Sequence, residues 1–205
     1  MDNLHPDISA TKLKILAAAR LVLMSKGYAG LSTRAVAEAA DTQMSQIRYH
    51  FGSKEGMILA LYEYMTEQLI ARQVDTFNDA NMPLSKKWEM SCDYLDADFD
   101  SGYVHVLQEL IAAGWSNPQV GDAVRASLAR WRDLHVTLAE EFSAKIGGLG
   151  PFSAEDIAAL IGPAFIGAEA FLLLGMENDG LPVRQALRRI GKIIEYYETQ
   201  LSRGD

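Results

Sequence analysis

The sequence predicts an all-α fold, and three observations carry that reading. Apolar residues recur at three- and four-residue spacing along most of the chain. No stretch alternates strand-like between turn signals. Glycine, Asn-Pro and similar breakers cut the periodic runs into lengths typical of helices. With 205 residues, the chain can bury one good-sized core or two small domains sharing an interface. Half of the residues are apolar and about a fifth are charged, with no low-complexity segment, which excludes extended disorder.

Each element follows from its own signals. In "TKLKILAAARLVLMSKGY", Ile15, Ala19, Val22 and Leu23 form one stripe, Lys26 lies in the last turn, and Gly27 stops the helix. In "LSTRAVAEAAD", Ser32 is the N-cap and Val36, Ala37 and Ala40 face inward. A tight turn at residues 41–43 leads to a short helix, Met44 to Phe51. Gly52 ends it and Ser53 caps the next helix, which runs from Lys54 to about Asn78 with Ile58, Leu61, Met65 and Leu69 on one side. The segments "MPLSKKWEMSCDYLDADF", "YVHVLQELIAAGW" and "PQVGDAVRASLARWRDLHVTLAEEFSAKIG" read as further helices. After "GGLGPF", Ser153 caps an apolar helix, and "GLPVRQALRRIGKIIEYYETQL" closes the chain with Pro182 at a first helical position. The total is about nine helices.

The helices at 32–40 and 44–51, with their tight turn, have helix-turn-helix spacing (motif about 32–51). In the second, Met44, Ile47 and Phe51 share a packing face. Ser45, Arg48 and Tyr49 then lie outside, with Gln46 and His50 on an adjacent flank. That outer face holds donors and amphipathic rings and no acid, which suits a helix in the major groove: Ser, Gln and Arg hydrogen-bond base edges there. Tyr49, His50 and Lys54 come later, placed to hold phosphates. Lys54 follows a cap, so its charge adds to free N–H groups at a helix start, and Thr33 and Arg34 offer the same one helix earlier.

"STRAVAEAADTQMSQIRYHFGSKEGM" resembles the DNA-binding segment of the tetracycline-repressor (TetR) family. The resemblance lies in the small-residue helix around Val36, Ala37 and Ala40, in Ile47, and in "YHFGSKE" at Tyr49 to Glu55. With the first helix and Gly27–Tyr28 it covers about residues 9–69. It implies an Ω-shaped homodimer: the first three helices bind an operator, later helices hold a small-molecule effector, and the last two pair in a four-helix bundle. It also departs from the family at three places. Asp41 replaces the usual turn glycine, and Asp tolerates the left-handed conformation better than most residues. Gln43 stands where a capping Ser is usual, so Thr42 caps instead or the cap is weaker. Arg48 takes a position often held by Tyr. Gln43 joins the DNA-facing set.

The expected division is therefore 1–54 for DNA binding and 55–205 for ligand binding and dimerisation. Charge agrees. Residues 1–54 hold seven Lys/Arg and four acids, a net of +3, leaving −11 of the chain's −8 for residues 55–205. The expected effector residues are His105, Gln108, Trp115, Trp131, His135, Phe165 and Glu169. His135 and Glu169 are the sharper choices, because a polar group in an apolar layer needs a partner. Glu169 faces either the cavity, where a cationic or hydrogen-bonding ligand would suit it, or the dimer seam suggested by the small residues around it.

Other classes fit worse. His50 and Tyr49 lack a partner carboxylate, and no nucleophile elbow or phosphate loop occurs, so an enzyme is not expected. A di-metal bundle needs Glu-x-x-His pairs, and none is present; His105 and Glu109, four apart, read as an ordinary contact. No cofactor or metal is expected. The rival reading is a dimeric helical small-molecule-binding module without sequence-specific DNA binding. Ile157 to Met176 is long enough to span a membrane. Glu169, Pro163 and acidic flanks argue instead for a helix sandwiched by protein, between subunits. The amino terminus reads as no signal peptide, and the lone Cys92 fits a small buried hydrophobe in a reducing cytoplasm.

Overall fold

The computed structural model describes residues 9–201, and these form nine helices and no strand. The reading of the amino terminus falls mostly outside the described residues. The helices are α1 (Ala10–Gly30), α2 (Thr33–Ala39), α3 (Met44–Phe51), α4 (Lys54–Phe77), α5 (Leu84–Ser101), α6 (Tyr103–Gly114), α7 (Pro118–Ile146), α8 (Ala154–Leu173) and α9 (Val183–Leu201).

Local chemistry sets most of the boundaries. The hydroxyls of Ser9, Ser32 and Ser53 accept from Lys12, Ala35 and Gly56 N–H at 3.3, 3.1 and 3.0 Å. At α8, Ser153 accepts from Asp156 N–H while Asp156 accepts in return from Ser153 N–H, a capping box. The stop expected at Gly27 is a break inside α1 (φ 66°, ψ 178°), after which the chain makes one more turn to Gly30. Pro182 precedes α9 rather than opening it: its carbonyl accepts from Ala186 N–H at 2.8 Å.

The chain forms two compact units. One comprises Met1–Glu67 and His105–Val124, the other Gln68–Val104 and Arg125–Asp205. The expected division was drawn where the basic, DNA-facing residues end. Compactness follows packing, which places most of α6 with the amino-terminal helices.

In the first unit, Ile15, Leu23, Val36, Ile47, Met57 and Ile58 are fully buried, the stripes expected from their spacing. In the second, α5 and α9 pack most extensively, and a cluster forms from Cys92, Leu95, Val104, Ala168, Leu172, Val183 and Leu187. Burial pushes the Cys92 thiol up to about 11, so it behaves as a small apolar group. Around this core Arg188 bonds Asp93 and Asp96 at 2.7 and 2.8 Å, and Arg184 bonds Asp96 and Glu177. Lys87, 1% exposed, donates to Phe77 carbonyl and Glu141, both at 2.7 Å. That pairing is what makes a buried ammonium tolerable.

Within this chain helix α8 is covered on one side only. Its apolar window is only 22% buried. Phe165, Ala168, Glu169 and Leu172 face the unit's interior, whereas Leu160, Ala164, Gly167, Phe171 and Leu174 form an outer stripe open to solvent. By length and hydropathy it is a helix that could cross a membrane; within this chain it is covered on one side.

Candidate nucleic-acid interface

The helix-turn-helix is assembled from short-range forces. Val36, Ala37 and Ala40 are buried, so α2 approaches its neighbours through small side chains. The turn is closed by Asp41 N–H donating to Glu38 carbonyl at 3.2 Å and Thr42 N–H donating to Ala37 carbonyl at 3.0 Å. Asp41 is the one described non-glycine residue with positive φ, at 44°. Its carbonyl accepts from Lys14 Nζ at 3.2 Å, which ties the turn to α1. The residue at the cap of α3 is Gln43, whose side chain makes no cap bond. Ser45 Oγ lies 3.4 Å from Gln43 Oε1 instead. Of the two openings left by sequence, the weaker cap is the one found.

Ile47 is the single buried residue of α3 and acts as its anchor. Ser45, Gln46, Arg48 and Tyr49 are exposed, Tyr49 by 81%. Met44 does not join the packing face: it is 54% exposed, because the first residue of a short helix lies beyond the neighbour that covers Ile47. Phe51 is half-buried. His50 is half-buried too, with its ring edge-on to Tyr49 at 5.0 Å. It lines a groove of about 510 Å3 with Lys12, Leu16, Phe51, Ala60 and Glu63, so it turns toward α1 and α4 more than Arg48 does. Thr33 is half-buried at the start of α2, and the exposed Arg34 bonds Glu38 at 3.1 Å.

Lys54 is less free than its position suggested. Its Nζ donates to Tyr28 carbonyl at 3.0 Å and lies 4.7 Å from the centre of the Tyr28 ring. Tyr28 N–H in turn donates to Glu109 Oε2 at 2.8 Å. An ammonium has three donors, so two remain after the Tyr28 bond. Sequence reasoning missed this linkage, although Gly27–Tyr28 and the His105–Glu109 spacing were its visible ends.

The effector candidates fall into both units. His105, Gln108 and Trp115 belong to the first and Trp131, His135, Phe165 and Glu169 to the second. His105 Nε2 lies 3.9 Å from Glu109, whose carboxylate is engaged by Tyr28, and Gln108 is half-buried. Trp115 is 84% exposed, which departs from a pocket wall. It follows the last turn of α6, where Gly114 packs close to the Gly121 backbone. In the second unit Trp131 and His135 lie 6.4 Å apart on α7. Burial lowers His135 to about 4, so the imidazole is neutral, and its Nδ1 has no protein partner. Phe165 packs edge-on against Trp88 at 5.7 Å. Glu169 is 8% exposed among Ala168 and Leu172, on the inner side of α8 and away from the open stripe.

Residues 15–61 match the family described as bacterial regulatory proteins, tetR family. The HTH-type transcriptional regulator UidR of Escherichia coli K12 is 25% identical over 146 residues; the alignment covers 68% of this chain and 66% of UidR, just under two thirds of its length. Among solved structures, Salmonella enterica GusR superposes with a TM-score of 0.73 at 21% identity, covering 94% of this chain and 98% of that one. FadR from Bacillus subtilis, in complex with stearoyl-CoA, gives 0.73 at 14% identity, covering 89% and 96%. The matched segment holds the turn at Asp41, the anchor Ile47 and the exposed face of α3, so residues 15–61 are similar to the tetR family of bacterial regulatory proteins, and the described helices share the fold of these solved structures.

Proposed function

We propose that the chain is a ligand-responsive transcriptional repressor that binds a pseudo-palindromic DNA operator as a homodimer and is released by a small molecule. The observation that carries it is the exposed face of α3, where Ser45, Gln46, Arg48 and Tyr49 surround the buried Ile47 and the helix itself holds no acid. On this reading residues 1–54 bind DNA and residues 55–205 bind the effector and dimerise. Ser45, Gln46 and Arg48 read base edges, and Thr33, Arg34, Gln43, Tyr49, His50 and Lys54 hold the backbone and set register.

The dimer reading is supported by two open apolar stripes, Leu160–Ala164–Gly167–Phe171–Leu174 on α8 and Ala186–Ile190–Ile193–Tyr197 on α9. Each repeats at three- or four-residue spacing, as bundle helices do. Pairing them across a two-fold axis would cover both, and the operator of such a symmetric dimer would have half-sites about 34–36 Å apart. The unpartnered Nδ1 of His135 beside Trp131 supports an effector with a hydrogen-bonding group, held by the second unit. Effector binding would then favour an arrangement whose α3 spacing no longer fits the operator. The setting is the cytoplasm, at the nucleoid when bound to DNA.

Selection of bound duplexes from a random-sequence pool tests the reading. The chain is expected to enrich a two-fold symmetric site, and Gln46→Ala and Arg48→Ala are expected to change which bases are enriched. A pool that stays random would favour a helical dimeric binding module without DNA recognition. Uniform weakening without altered preference would reassign Gln46 and Arg48 to the backbone.

A further inference from the structure

Lys54 can meet a phosphate only from where Tyr28 holds it, and Tyr28 is itself held from α6. The backbone around Tyr28 is gripped at both polar atoms. Its N–H donates to Glu109 Oε2 at 2.8 Å, and its carbonyl accepts from Lys54 Nζ at 3.0 Å. Its ring adds a third hold, with Lys54 Nζ 4.7 Å from the centroid. The preceding residue makes the grip possible. Gly27 has φ 66° and ψ 178°, a combination that essentially only glycine adopts, and a Cβ there would lie 3.3 Å from Glu109 Oε1. Glycine thus turns the chain out of α1 and lets the carboxylate reach the Tyr28 amide. All four residues lie in one compact unit, although Glu109 is 81 positions from Tyr28.

We infer that Glu109 is a positioning residue for DNA binding: by holding the backbone of Tyr28 at its N–H it fixes the residue whose carbonyl and ring orient the Lys54 ammonium at the start of α4. This rests on the proposal that Lys54 contacts phosphate. The carboxylate accepts the Tyr28 N–H and so holds the peptide on the Gly27 side; the helical backbone of Tyr28 then directs its carbonyl, which lies in the following peptide, toward Lys54. Without Glu109 the backbone of Tyr28 loses its hold on the Gly27 side, and the carbonyl and ring that orient Lys54 shift with it.

The test measures binding of the full-length protein to a mixed-sequence duplex across a salt series. Alongside it, amide hydrogen exchange at Tyr28 is followed by NMR and folding by circular dichroism. Lys54→Ala is expected to bind about tenfold more weakly and to shallow the salt slope by about one. Glu109→Ala is expected to reproduce both effects and to speed exchange at Tyr28. Glu109→Gln keeps an acceptor and is expected to restore all three readouts. The double variant is expected to match Lys54→Ala alone. The inference is overturned if Glu109→Ala folds and binds with the wild-type slope, or if the losses of the two single variants add. An unchanged slope in Lys54→Ala by itself would instead overturn the phosphate role of Lys54, and this proposal with it. Should Glu109→Ala not fold, exchange in the wild-type protein decides: protection at Tyr28 supports the grip, and exchange as fast as an exposed loop amide overturns it.

Discussion

Asp41 shows what one residue contributes to the unit that holds α3. Its φ of 44° sits in the left-handed region, where an ordinary side chain costs about 1–2 kcal/mol and Asp less. Its carboxylate adds little, because it is fully exposed and 3.9 Å from Lys14. The bond that matters runs to its main-chain carbonyl and survives substitution. Asp41→Gly is therefore expected to leave stability unchanged or slightly raised, and Asp41→Val to lower it by about 1–2 kcal/mol, read from the urea midpoint. A Val variant as stable as wild type would remove the turn from the account of how α2 and α3 are joined. This much could be read in the sequence, since Asp at a glycine position names its own conformation. Lys54 could not. Its position after a cap was visible, but where its ammonium goes depends on Tyr28 and Glu109, one distant by 26 residues and the other bound to that partner across 81.

At the scale of elements, the caps at Ser32, Ser53 and Ser153 and the inner stripes of α1 and α4 lie where spacing put them, because those signals are local. Helix α8 marks the limit of that reasoning. Periodicity reports that a helix is apolar on most sides; it does not say whether the same chain or another covers the second side. Here one face packs on α9 and the core, and Leu174 on the other is 74% exposed. Trp115 shows the same limit: an aromatic after a helix reads as core, and here it is exposed. If the open stripes of α8 and α9 pair between subunits, Phe171→Glu and Ile193→Glu are each expected to yield a folded monomer by sedimentation, because both side chains are exposed within one chain. A dimer that survives both charges would move the interface elsewhere.

For the whole molecule, two buried groups of the second unit predict an unusual response to acid. Burial, partly offset by the Arg72 guanidinium, pushes the Asp98 carboxyl up to about 6, and burial lowers the His135 imidazole to about 4. Asp98 binds its proton more readily folded than unfolded, so its contribution is present below pH 4 and is lost as pH rises through 6. His135 is the reverse, present above pH 6.5 and lost as pH falls toward 4. Each shift is about two units, roughly 3 kcal/mol. The two slopes oppose one another, and their joint contribution between pH 4 and 6 is expected to be nearly flat. Asp98→Asn is expected to expose the acid sensitivity of His135, and His135→Gln the opposite trend, in urea titrations at pH 4.5 and 6.5. Parallel profiles for both variants and wild type would refute the compensation. The compact units carry a separate consequence for anyone wishing to recombine such regulators. The unit that holds α3 contains His105–Val124 as well as the amino-terminal helices, and the buried Val106, Leu107 and Leu110 of α6 belong to it. A fragment ended at residue 67 would lack part of its own interior and the acceptor for Tyr28. A chimaera that transplants operator recognition onto another effector half must therefore carry α6 along, and a graft cut at a single point in α4 would separate Glu109 from the peptide it holds.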